Sequence, residues 1–197
     1  MTTHPVSPAT LRFAALPKTG LLADVLLVCL GAGLISGAAQ ISFHIPGTPV
    51  PVTGQTFAVL LVGASLGTAR GGSSAMLYLL LGLVAPVYAS GHEGWSIITG
   101  ARGGYLVSYP IVAALTGYLA EKRWDRKFSS AVGAMLTGNV VIYLIGVPWL
   151  AVVLNTNFEK SMEYGLYPFI PGDTLKLYLA AAALPAAWKF ANRSRQD

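Results

Sequence analysis

Asp173 and Lys176 stand three residues apart in Gly172-Asp173-Thr174-Leu175-Lys176, at the head of an otherwise apolar stretch. On a helix that spacing turns both side chains to one face. A carboxylate there accepts hydrogen bonds from N–H groups, and an ammonium pairs with a carboxylate or donates to a carbonyl. Ionisable groups in apolar helices are costly, and they face a cavity or a partner. Two plainer readings stand beside this one. The pair can simply neutralise itself, or Asp173, preceded by Pro171-Gly172, can cap the helix N-terminus. Capping leaves Lys176 unexplained, because a cation at that end opposes the macrodipole. The pair therefore reads as the polar end of a ligand site.

Other residues offer weaker signals. Thr53, Gln55 and Thr56 open a second apolar stretch. Thr53 suits an ordinary N-cap and Gln55 an ordinary first turn, but a glutamine amide can also read a planar urea or amide through its donor and its acceptor. In Arg102-Gly103-Gly104-Tyr105 the glycines let backbone approach a ligand closely, while Arg102 can clamp a carboxylate or meet lipid phosphate. Asn139 and Tyr143, four apart, share a helix face; an interhelical hydrogen bond suits Asn139, and a pocket wall suits Tyr143. Gly33 and Gly37 form a small-xxx-small pair, as do Gly63 and Gly67, fit for internal packing or for docking a second membrane protein. Trp95, Trp149 and Tyr167 read by default as interfacial belt residues.

Catalytic sets are missing from the sequence. It holds no G-x-x-x-x-G-K-[ST] loop, no HExxH and no G-x-S-x-G, and His4, His44 and His92 are scattered. The single Cys29 allows neither an internal disulfide nor a zinc cluster. A membrane-embedded enzyme using Asp173 as general base would lack a nucleophile, a metal set and a second acid. No internal repeat of the kind that builds inverted-repeat transporters is evident.

The elements that must position these residues follow from composition. Of 197 residues, 54% are apolar and only 11% charged, against roughly 25% charged in a soluble domain. The expected fold is an all-α integral membrane protein. No charge occurs between Asp24 and Arg70, a run far longer than the about 20 residues one span needs. Ile45-Pro46-Gly47-Thr48-Pro49-Val50-Pro51 supplies the break. Six transmembrane helices result, near 20–40, 53–68, 70–86, 103–121, 127–154 (interrupted at Gly146-Val147-Pro148) and 172–191. Structured outer loops are expected at 41–53, 87–103 and 155–172, because irregular backbone at membrane depth must be buried or line a cavity. Residues 1–19 and 192–197 are expected to be cytoplasmic tails around a six-helix domain at 20–191, with no removable signal peptide. Arg12, Lys18, Arg70, Lys122, Arg123, Arg126, Lys127, Lys189, Arg193 and Arg195 collect on one side, and only Arg102, Lys160 and Lys176 on the other, which puts both termini in the cytoplasm. The net charge of +5 is too scattered for a nucleic-acid surface.

The run from Thr48 to Gly63, TPVPVTGQTFAVLLVG, resembles the second-helix signature of the BioY family, the biotin-specific substrate-binding (S) components of energy-coupling factor (ECF) transporters. Further matches are Leu77-Tyr78-Leu79-Leu80-Leu81-Gly82, Thr99-Gly100 through Gly103-Gly104-Tyr105-Leu106, Gly146-Val147-Pro148-Trp149-Leu150, and Pro168 through Lys176. Together they extend from about residue 38 to 184. The resemblance implies six helices, an outward pocket closed by the first and third outer loops, and high-affinity biotin capture. It implies biotin contacts at Asp173 and Lys176, and supports Gln55 and the Gly103-Gly104-Tyr105 segment; Thr53, Tyr143 and Arg102 complete the candidate set. Ala101-Arg102 departs from the pattern expected there. The resemblance further implies that ABC-type ATPase subunits act through a transmembrane coupling (T) subunit, which favours docking for Gly33 and Gly37. Biotin is then a transported ligand, not a cofactor, and the setting is a prokaryotic cytoplasmic membrane. A homo-oligomer is compatible with all of this, and an S component for a different vitamin is the alternative.

Overall fold

A computed structural model describes residues 10–12 and 20–193, without the side chains of 192 and 193. His4, Lys18 and Arg195, with most of both expected tails, lie outside the described residues. In chain order, helix α1 (Leu21–Gln40) leads into a two-stranded hairpin, β1 (Ser42–Phe43) and β2 (Val52–Thr53). The strands are antiparallel, with Ser42 opposite Thr53 and Phe43 opposite Val52. Then come α2 (Gln55–Leu66), α3 (Thr68–Leu81), the short α4 (Trp95–Thr99), α5 (Gly103–Glu121), α6 (Phe128–Val153), the short α7 (Phe158–Gly165) and α8 (Ile170–Arg193).

The packing reverses the polarity of a water-soluble bundle. Small residues such as Ala32, Ala39, Ala58, Ala64, Ala75, Ala113, Ala180 and Ala181 fill the interior, while Leu21, Leu26, Leu30, Val84, Leu144, Val152 and Phe190 stand exposed. Small side chains let helix backbones approach when lipid removes the usual hydrophobic drive. Helices α1 and α6 also have the length and mean hydropathy, 2.1 and 1.9, to cross a bilayer. Helix α5 is the hub: it packs on α2, α3 and α6, while α1 lies on α2 and α3, and α8 on α2 and α6. Gly63 of α2 makes this closeness possible, since a Cβ there would lie 2.4 Å from the Ala113 carbonyl of α5. Gly67, at φ 87°, turns α2 sharply into α3. The Gly63/Gly67 pair thus serves internal packing and a turn.

Two features differ from the sequence expectation. Helix α3 stops at Leu81 instead of near Pro86, because the Tyr88 ring occupies the space beside Gly82 and its hydroxyl donates to the Leu79 carbonyl at 2.6 Å. Helix α6 is continuous through Gly146-Val147-Pro148. Proline's fixed φ suits a helix and forfeits one backbone bond, and Gly146 acts as a notch for the Tyr105 ring. The connections expected as structured outer loops contain the hairpin, α4, α7 and 3₁₀ turns at Ala89–Gly91 and Tyr167–Phe169.

The end of the bundle away from the hairpin is held by charge. Asp24 accepts two hydrogen bonds from Arg70, both 2.8 Å, and one from Arg12 at 2.7 Å. Glu121 Oε1 accepts from the Thr68 N–H that opens α3, at 2.8 Å. In the α5–α6 connection, buried Asp125 accepts from the Trp188 indole, and Arg126 lies over that ring. Burial pushes the Asp125 carboxyl above its ordinary pKa, against the opposing pull of Trp188 and Arg126.

Candidate functional site

At the hairpin end, a cavity opens between α2, α5, α6 and α8. Its charged corner comes from one helix face, as the three-residue spacing requires: Lys176 Nζ lies 3.0 Å from Asp173 Oδ1, with the two side chains 18% and 8% exposed. The Tyr143 hydroxyl donates to Asp173 Oδ2 from α6. Thr56 of α2 stands 3.5 Å from both Asp173 Oδ1 and Lys176 Nζ. Three helices therefore converge on one carboxylate. An ionised carboxylate offers about four lone-pair positions, so the corner retains acceptor capacity for N–H groups of a guest, and the ammonium can donate to a carbonyl.

The walls are apolar and aromatic: Val50, Pro51, Ile97, Leu106, Ile142, Phe169 and the tyrosines at 88, 105, 109 and 143. Along α5 the lining residues are Arg102, Tyr105, Leu106 and Tyr109, the i, i+3, i+4, i+7 stripe of a single helix face. Arg102 lines the far part of this stripe, from the residue that precedes α5. Its guanidinium reaches the Ala89 carbonyl and the His92 ring only at 3.5 Å. Burial pulls its pKa below the ordinary value, and among the described residues no carboxylate opposes that. A half-buried cation without an acidic partner is suited to an anionic group of a guest.

The segment carrying Tyr88 and Ala89 is gripped from α1. Gln40 Nε2 donates to the Val87 and Tyr88 carbonyls, both at 3.3 Å, and its Oε1 accepts from the Gly91 N–H at 3.1 Å. Ser42 and Ser90 share a further hydrogen bond of 2.8 Å. One wall of the cavity is thus tied to the end of α1.

Of the candidate residues, Asp173, Lys176, Tyr143, Thr53, Gln55, Arg102 and Tyr105 all line this cavity. Several are also engaged by the protein. Thr53 donates to Gln55 Oε1 at 2.9 Å, and Gln55 Nε2 donates to Tyr78. The Tyr105 hydroxyl donates to the Gly165 carbonyl at 2.9 Å, tying α5 to α7. Gly104 lies outside the lining: its open side is filled by Trp149, 2.4 Å from where a Cβ would stand. Trp149 is itself anchored, donating to the Gly100 carbonyl at 3.0 Å, whereas Trp95 and Tyr167 are exposed as belt residues would be. The interhelical bond expected of buried Asn139 is not formed, and its Oδ1 has no partner. Thr116, packed beside neighbouring Gly138, turns its hydroxyl back to Val112 and Ala113 of its own helix. Gly33 and Gly37 have nothing within 4 Å of a built Cβ; Gly31, against Ser74 and Val62, is the packing glycine of α1.

Sequence reasoning passes over Tyr109, Tyr88, Ile97 and Phe169. Tyr109 carries a usable signal, lying four residues after Tyr105 on the same face. The other three belong to connections whose path no periodicity reveals.

The arrangement is a helical bundle with small residues inside and a polar-and-aromatic cavity at one end. A solved structure described as the S-component for biotin from an ECF-type ABC transporter superposes with a TM-score of 0.77 at 23% identity, covering 87% of this chain and 95% of its own. The sequence model described as the BioY family matches residues 7–193, and the chain belongs to that family. The biotin transporter BioY of Rhizobium etli is 34% identical over 167 residues, 80% of this chain and 89% of its own. The probable biotin transporter BioY of Pyrococcus horikoshii is 39% identical over 154 residues, 78% and 88% of the two chains. The protein is accordingly a multi-pass membrane protein of a transporter family.

Proposed function

We propose that this chain captures biotin with high affinity from outside a prokaryotic cytoplasmic membrane, as the S component of an ECF transporter. The observation that carries the reading is the largely buried Asp173–Lys176 pair in an aromatic cavity whose α5 stripe also carries Arg102, a cation without an acidic partner among the described residues. Biotin's ureido ring presents N–H donors to Asp173 and a carbonyl acceptor to Lys176. Its rings and methylene tail suit the Tyr, Ile, Leu and Phe walls, and its carboxylate suits Arg102. Sites that hydrogen-bond a buried polar group reject analogues lacking it strongly. With Arg12, Arg70 and the basic α5–α6 connection at the far end, that end and both termini are cytoplasmic. The open Gly33/Gly37 face of α1 docks the transmembrane T subunit, through which partner ATPases drive uptake. The role is binding and transport, without catalysis or a cofactor. Calorimetry on the detergent-purified chain should show saturable biotin binding, displaced by no other vitamin at equal concentration. An absence of saturable heat at micromolar biotin sinks the reading, and preferred binding of another vitamin reassigns the ligand. Co-purification with a T subunit and ATPases tests the partners.

A further inference from the structure

Among the polar side chains on the cavity wall, one hydroxyl has nothing to bond to. Tyr109 is 3% exposed and lines the cavity. Thr53 and Gln55 are bonded to each other and to Tyr78, Tyr88 to Leu79, Tyr105 to Gly165, and Tyr143 to Asp173. Tyr109 makes no hydrogen bond to any described residue. A buried phenol ring normally finds a partner for its hydroxyl, and here that hydroxyl has only the cavity to turn to. Phenylalanine would fill the same space without offering a polar group to the cavity. The group is therefore kept for something that enters the cavity.

We propose that the Tyr109 hydroxyl donates to the ureido carbonyl oxygen of the ligand, as a second donor beside Lys176, which makes it a specificity-determining residue. This rests on the biotin reading above. Seven residues beyond Arg102, at 1.5 Å per residue, Tyr109 stands about 10 Å further along α5. The stripe thus runs from the cation suited to the tail carboxylate to a hydroxyl in the part of the cavity that holds Asp173 and Lys176. A carbonyl oxygen has two lone pairs; the ammonium takes one and the phenol the other. The Tyr109 hydroxyl makes no hydrogen bond to Asp173, whose oxygens are met by Tyr143 and Lys176, which leaves the phenol proton for the ligand.

The test is Tyr109→Phe in the full purified chain, with binding of biotin and of 2-thiobiotin, whose sulfur is a poor acceptor, measured by calorimetry, and melting measured without ligand. The expected result is a roughly tenfold loss of biotin affinity, a loss under about threefold for 2-thiobiotin, and an unliganded melting temperature equal to or above wild type. Unchanged biotin affinity in the variant overturns the proposal. So does an equal loss for both ligands, which moves the contact off the carbonyl, or a lower unliganded melting temperature, the mark of a purely structural hydroxyl. Wild-type protein that binds no biotin overturns this proposal and the transporter reading together, and that result is visible before any variant is made.

Discussion

Replacing Lys176 by methionine keeps the aliphatic stem and deletes only the ammonium. In the free protein that ammonium sits 3.0 Å from Asp173 Oδ1, and the carboxylate side chain is 8% exposed. Removing one member of a buried ion pair costs about 3–5 kcal/mol, because the other charge is left without compensation. Tyr143 and Thr56 still face the Asp173 oxygens, which places the loss at the lower end of that range. For ligand, the deleted group is a charged donor to the ureido carbonyl, a bond of about 1.5–3 kcal/mol, or roughly a tenfold to 150-fold weaker Kd. A second variant, Asp173→Leu with Lys176→Met, removes both charges and should return stability to near wild type, since hydrophobic replacement of a whole buried pair is often neutral. Its biotin binding should stay lost. Thermal melting in detergent reads the first quantity and calorimetry the second. A Lys176→Met protein with wild-type affinity, or a double variant that regains binding, refutes the reasoning that this pair is kept for the guest.

Arg102→Ala should weaken biotin about tenfold, the value of a charge-assisted hydrogen bond, yet bind biotin methyl ester as wild type does; equal loss for acid and ester in calorimetry removes Arg102 from the carboxylate. Gly33→Leu with Gly37→Leu should leave biotin binding by the isolated chain unchanged, because both glycines face open space, while abolishing co-purification with the T subunit. Gln40→Ala removes three of the bonds that hold residues 87–91 to α1; hydrogen exchange at the Gly91 amide should accelerate and biotin dissociation should speed up several-fold. Asp125 has a folded pKa above its unfolded one, so the native state holds that proton more tightly, and the stability it contributes at low pH falls away as pH rises through the raised value. Asp125→Asn, which still accepts from Trp188, should flatten that slope in melting curves recorded from pH 4 to pH 8.

The long helices were legible because a bilayer simplifies the code. A charge-free run from Asp24 to Arg70 admits few interpretations once span length is set, and the observed ends of α1, α5 and α8 lie close to the expected ones. What failed was punctuation. Pro148 and Gly146 look like a break by local propensity, yet the helix absorbs the proline and uses the glycine to seat Tyr105. Gly82 likewise ends α3 because of Tyr88, six residues on, and no window on the sequence shows that contact.

The charged corner was legible for a related reason: an apolar helix carrying an acid and a base three residues apart has few uses for them. Gln55 and Gly104 show where that logic stops. Residue type says what a side chain can do, but whether the amide is free depends on Tyr78, and whether the glycine faces a guest depends on Trp149. Tyr109 is the converse case. Its type is ordinary, its position on the α5 stripe is readable, and its significance comes only from what the fold withholds, a hydrogen-bond partner. Because a bundle of this kind gains little from an unpaired hydroxyl in its interior, such groups mark the part of the cavity shaped around something the bundle does not itself contain.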